Sequence, residues 1–209
     1  MRTIAHNRTA YGPILKQALY VKDNDNRYWL TIPKCGLSTV REFISGQSGE
    51  DYLSPHAPSV DTVYDHIAAG GKCIMTIRHP VERIISAYRW ANWHYQYTGS
   101  PQEVSIRPFD DWMDEVESVP DEERDIHVRS QSWYLTTETN RTIVPTDYLV
   151  TERLSEDLAK HTFYPIQSGN VRVTNASTGP IVVPDATITG RILQLYHDDW
   201  LLYQRENPA

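Results

Sequence analysis

Two short runs rich in aromatic, aliphatic and β-branched residues stand out along the chain: Tyr28-Trp29-Leu30-Thr31-Ile32 and Cys73-Ile74-Met75-Thr76-Ile77. Each reads as a buried strand, and each runs into a breaker and then a helical pattern. Pro33-Lys34-Cys35-Gly36 ends the first, and Ser38 to about Ser45 follows as a helix with Val40, Phe43 and Ile44 on one face. After a loop over 46–57, Ser59 is placed to cap a helix from Val60 to Ala69 that stops at Gly70-Gly71. Pro80 suits the first turn of a helix reaching about Tyr95. Further helices are expected over Phe109–Val116, Asp125–Leu135 and Leu154–His161, with one or two short strands in Ile143–Val150. Thr187–Tyr203 closes the chain as an amphipathic helix carrying Ile188, Ile192, Leu195 and Trp200. Residues 1–26 and 165–185 read as irregular, the former ending in the turn-like Asp23-Asn24-Asp25-Asn26. Strand and helix alternate, so the expected class is α/β, a parallel sheet with helices on both faces.

Composition narrows the function. The 209 residues suit one domain spanning 1–209 with a real core. A formal net charge of −7 argues against general nucleic-acid binding, yet 20 Lys and Arg residues leave enough cations for a local basic pocket. No run approaches the roughly 20 apolar residues of a membrane span, and the N-terminus lacks an apolar signal core, so a soluble, cytoplasmic chain is expected. Cys35 and Cys73 read as reduced structural thiols, no Cys/His cluster has zinc spacing, and no metal is expected. Without a secretion signal, the sequons at Asn7, Asn140 and Asn175 are chance matches.

Chemistry concentrates after the two strands. In Pro33-Lys34-Cys35-Gly36-Leu37-Ser38-Thr39 a strand ends, a glycine turn follows, and a helix opens on hydroxyl residues. Free amides and the positive dipole end at a helix start make an anion site. Gly36 permits close approach, Lys34 adds charge, and Ser38 and Thr39 add donors. The loop is not a Walker A motif, because the lysine precedes the only glycine. The second strand delivers Arg78 at its carboxyl end, where open parallel sheets bind ligands. Arg83 and Ser86 follow one turn apart. Arg83 either joins Ser86 on a terminal phosphate or pairs at the surface with Glu82 or Asp65.

These two segments, the second being Arg78-His79-Pro80-Val81-Glu82-Arg83-Ile84-Ile85-Ser86-Ala87-Tyr88, resemble the nucleotide-binding signatures of carbohydrate sulfotransferases. The relatives are the Golgi type, including heparan sulfate 2-O-sulfotransferase, with bacterial and viral counterparts. The segment Tyr148-Leu149-Val150-Thr151-Glu152-Arg153-Leu154 is similar to that family's strand-then-helix with a Thr-Glu pair. His127 and Gln131 match its His-x-x-x-Gln pattern, and Leu195–Trp200 its closing helix, so the likeness spans most of 28–203. Leu37 departs from the usual glycine or serine, and the chain lacks long insertions.

The resemblance implies a P-loop-like sulfotransferase fold and 3′-phosphoadenosine-5′-phosphosulfate as donor. Lys34, Cys35, Gly36, Leu37, Ser38 and Thr39 would hold its 5′-phosphosulfate, with Arg78 and Ser86 on its 3′-phosphate. The product would be adenosine 3′,5′-bisphosphate, and the acceptor a hydroxyl, on a sugar by the match to the carbohydrate branch. Lys34 is expected to offset charge on the leaving phosphate. His56, in the interval where family members carry a histidine base, is expected to take the acceptor proton, for which imidazole's pKa near 6.5 is suited. His127 and Gln131 are candidates for substrate contact, His127 equally for capping or packing. Trp93, in the cluster with Trp90, Tyr95 and Tyr97, offers a face for a sugar or adenine ring, whereas Trp90 reads as core. Arg172 and Asn175 lie in a loop that could close on the donor. The rivals are a kinase-like phosphotransferase, which would need a Walker lysine and a magnesium carboxylate, and a non-catalytic nucleotide- or glycan-binding module on the same fold.

Overall fold

The computed structural model describes residues 20–23, 25–45, 58–97, 108–137, 139–161 and 182–208. A four-stranded sheet lies at its centre, built in chain order from β1 (Tyr20–Lys22), β2 (Tyr28–Leu30), β3 (Cys73–Ile77) and β4 (Asp147–Val150). β2, β3 and β4 are parallel, with Tyr28 opposite Cys73 and Ile77 opposite Val150. β1 runs antiparallel along the edge, pairing Tyr20 with Leu30. The sheet is therefore mixed. The edge strand falls in the stretch that its polar character marked as irregular: three residues are too few to show a period, and only Tyr20 is buried.

The helices are α1 (Leu37–Ser45), α2 (Val60–Ala68), α3 (Pro80–Tyr97), α4 (Phe109–Ser118), α5 (Leu154–Ala159), α6 (Ala186–Leu195) and α7 (His197–Glu206). Successive strand residues face opposite ways, and the core divides accordingly. Tyr28, Leu30, Cys73, Met75 and Ile77 pack with Val60 and Val63 of α2 and with Leu202 and Tyr203 of α7. Trp29, Ile74 and Leu149 pack on the other face with Val40 of α1 and with Leu154 and Leu158 of α5. Burial on both faces is why the strand sequences are unbroken apolar runs. A third cluster joins α3, α4 and α6 through Ile84, Tyr88, Met113, Val116 and Ile192. Ser59 caps α2 as expected, its hydroxyl accepting from the Thr62 amide at 3.0 Å.

Two expected helices take another form. Residues 125–135 hold turns and a 3₁₀ segment, Ser132–Leu135, because side chains there take the backbone amides a helix would need. Asp125 Oδ1 accepts from the His127 amide at 2.9 Å, and Asp121 Oδ1 from that of Ser130 at 2.9 Å. The closing helix breaks at Tyr196 (φ −114°, ψ 42°), whose buried ring sends its hydroxyl to the carbonyl of Val128. No described helix is long and apolar enough to cross a membrane.

Candidate anion-binding site

The first loop leaves the sheet after β2. Thr31 and Ile32 remain buried, and the Ile32 amide donates to Thr76 Oγ1 at 3.2 Å. Lys34 and Gly36 both take left-handed backbone, φ 67° and 77°. Such residues turn neighbouring amides toward one side of a loop, the arrangement of an anion nest. At Gly36 the positive φ favours glycine, and an added Cβ, 2.6 Å from Leu154 Cδ2, would also have to displace that methyl. α1 begins at Leu37, so the positive end of its dipole adjoins this loop.

Two guanidinium groups hold this loop from below. Arg78, just past the end of β3, donates through Nη1 to the Lys34 carbonyl at 3.2 Å. Arg83 of α3 donates through Nε to the Pro33 carbonyl at 3.2 Å, through Nη1 to that of Arg129 at 2.7 Å, and through Nη2 to that of Ile126 at 3.4 Å. With 1% exposure, Arg83 is neither a surface partner of Glu82 or Asp65 nor open to a ligand; it ties the loop to the 126–129 turn. Because the peptide is planar, drawing the Pro33 carbonyl inward turns the Lys34 amide the other way. The left-handed backbone of Lys34 is thus held by its neighbours.

Electrostatics follow from this crowding of cations. Burial, followed by the repulsion of Arg78, Arg83 and Arg89, lowers the Lys34 pKa from its ordinary 10.5 to about 8. Its ammonium faces the Trp90 ring 5.7 Å from the centroid. The Arg78 guanidinium has Glu82 at 3.9 Å and Glu152 at 4.0 Å, both too far for a hydrogen bond, and its buried Nε is left without one. The Thr-Glu pair sits at the neighbouring strand end: Thr151 Oγ1 donates to the Ile77 carbonyl at 2.8 Å, and Glu152 Oε1 accepts from the His79 amide at 3.2 Å.

The other expected residues are distributed as follows. Cys35 is buried, its thiol donating to Gln131 Oε1 at 3.1 Å, and burial pushes its pKa up to about 12, which keeps it unreactive. Ser38 is half-buried, and Thr39 and Ser86 are buried. Gln131 is wholly enclosed, its amide bonded to the backbone of Arg78. His127 stacks on Trp90, rings 3.9 Å apart and 21° from parallel, and its Nδ1 lies 2.7 Å from Asp125 Oδ1. Asp125 is held below the usual carboxylate range: burial raises it, but the hydrogen bonds and charge of His127 outweigh that. Trp90 is therefore no plain core residue; one indole serves both His127 and Lys34. His79 caps α3, its Nδ1 accepting from the Val81 amide at 3.2 Å, with Trp200 and Tyr203 at its edges. His56, Arg172, Asn175 and the side chain of Trp93 lie outside the described residues. Arg83 as a buried clamp, Asp125 and Asp199 were not found from sequence. Of these, the Asp-x-His pair, Asp125 with His127, carries a local signal.

Among the described residues no group of three or more His, Cys, Asp or Glu side chains could hold a metal ion. Two strand ends thus bring together a nest, a helix start and Lys34 with Arg78, with Arg83 enclosed behind them and Arg89 nearby on α3. The model of the sulfotransferase family matches residues 16–204, and the chain belongs to that family. Comparison with curated proteins and with solved structures gave no match.

Proposed function

We propose that the chain moves a sulfuryl group from 3′-phosphoadenosine-5′-phosphosulfate to a hydroxyl of a carbohydrate, within a single catalytic domain. The observation that carries this reading is the crowding of Lys34 with Arg78, Arg83 and Arg89 in a chain of net charge −7, a repulsion that adds to burial in lowering the Lys34 pKa to about 8. Such a site is built to receive a polyanion. Lys34 with the amides of Gly36, Leu37, Ser38 and Thr39 takes the 5′ end of the donor, the Cys35 amide being engaged by the Ile32 carbonyl at 3.1 Å, and Arg78 with Ser86 takes the 3′-phosphate. In the transfer, the acceptor oxygen bonds to sulfur while the bond from sulfur to the 5′-phosphate oxygen breaks. Lys34 offsets the charge that collects on that oxygen, and a histidine takes the acceptor proton. The products are a sulfate ester and adenosine 3′,5′-bisphosphate.

His56 is the proposed base. A second reading gives the proton to His127, favoured by its contact with Asp125: a carboxylate at Nδ1 fixes the tautomer and leaves Nε2 as the acceptor. Acceptors screened with isotopically labelled donor, read as a mass gain of one sulfate, test the function. The expected result is sulfation of a sugar hydroxyl without added magnesium; transfer from ATP with magnesium instead would make the protein a phosphotransferase. His56→Ala is expected to lower turnover at least about a hundredfold with donor affinity kept. If His127→Ala alone does so, the base is His127.

A further inference from the structure

At Arg78 the chain has run past the end of the sheet. β2 last pairs at Leu30 with Met75, and β4 last pairs at Val150 with Ile77. Its two backbone groups still need partners, and one side chain supplies both. Gln131 Oε1 accepts from the Arg78 amide at 2.9 Å, and Gln131 Nε2 donates to the Arg78 carbonyl at 2.9 Å. A primary amide here does what a neighbouring strand would do. The same Oε1 also accepts from the Cys35 thiol in the first loop at 3.1 Å.

Gln131 is itself fixed. Asp199 of α7 accepts through Oδ2 from the Gln131 amide at 2.7 Å and through Oδ1 from the Ser132 amide at 2.8 Å. Both residues are 1% exposed. A carboxylate this deep is costly unless its lone pairs are used. Here they hold the start of the 3₁₀ turn at 132–135 in place.

We propose that Gln131 is a positioning residue that sets the distance between the two donor loops, with Asp199 as its anchor. It touches no ligand. It joins Cys35, beside Lys34, to Arg78, so that groups meant for opposite ends of one nucleotide stand at a fixed separation. The inference rests on the donor reading above and adds that recognition of both ends together depends on a buried amide outside either signature.

The test compares two probes on the full chain by calorimetry: adenosine 3′,5′-bisphosphate, which engages both loops, and adenosine 5′-monophosphate, which engages the first. Gln131→Leu keeps the bulk and removes the amide. It is expected to weaken the bisphosphate at least about tenfold and the monophosphate less than about threefold. Equal losses for the two probes, or none, in a variant that melts cooperatively would overturn the proposal. Cys35→Ala cuts only the first-loop tie and remains measurable if Gln131→Leu does not fold. A smaller loss confined to the bisphosphate is expected there, and an unchanged ratio of affinities counts against the proposal equally. Failure of the unaltered protein to bind the bisphosphate would instead bring down the donor reading.

Discussion

Lys34 shows how a single residue joins backbone strain, charge and binding. Its folded pKa of about 8 lies below the ordinary 10.5, so between those values the folded protein holds fewer protons at this site than the unfolded chain. This group's contribution to stability therefore rises with pH across that window. Affinity for an anion moves the other way, because the charged ammonium is what attracts it. The dissociation constant of adenosine 3′,5′-bisphosphate is expected to change little near pH 7, where its phosphates, with second pKa values of about 6, are mostly dianionic, and to climb by up to about tenfold per unit above pH 8. Binding between pH 8 and 9 should take up a proton, visible in calorimetry as a heat that depends on the buffer's ionisation enthalpy. Lys34→Met should weaken binding at pH 7 and remove the rise. A rise that persists in this variant would assign the titration to another group.

At the scale of elements, each strand–loop–helix unit was legible where local pattern and tertiary placement agree. β3 and α2 came out within a residue of expectation, because one is an unbroken apolar run and the other has a hydroxyl cap at one end and glycines at the other. The two signature loops were legible for the same reason: breaker, cation and hydroxyls lie next to one another in the chain. What joins the loops was not. Gln131 is 53 positions from Arg78, and Asp199 is 68 from Gln131, so neither contact leaves a period or a spacing to read. Charge in a sequence suggests water, so Arg83 reads there as surface or ligand-facing, whereas in the fold three carbonyls converge on its buried guanidinium. Replacing it with Met takes that donor from all three, and of them the Ile126 carbonyl keeps the Tyr134 hydroxyl at 3.0 Å. Arg83→Met is therefore expected to destabilise the fold by on the order of 3 kcal/mol in chemical denaturation, with Arg83→Lys recovering only part, since an ammonium cannot reach all three acceptors. A loss under about 0.5 kcal/mol would mean that the clamp contributes nothing net.

Over the whole molecule, two opposing fields act on an incoming nucleotide. The net charge of −7 repels it, while Lys34, Arg78, Arg83 and Arg89 attract it. Which wins depends on distance. A chain of this size has a radius of gyration of about 17 Å, whereas the Debye length is about 10 Å at 0.1 M salt. Most of the acidic surface is therefore screened from the site, and the local cations, partly buried and at short range, are screened far less. Sharing four cations around one loop also explains why such a site can sit in an acidic protein without altering its sequence-wide balance. The attraction that remains is still electrostatic, so affinity for adenosine 3′,5′-bisphosphate should fall as salt rises, by about three- to tenfold between 0.05 and 0.5 M sodium chloride. Lys34→Met should flatten that slope, since one of the attracting charges is gone. If affinity instead increased with salt, the acidic surface would govern the encounter, and the cation cluster would be too shielded by Glu82 and Glu152 to act as the nucleotide's counter-charge.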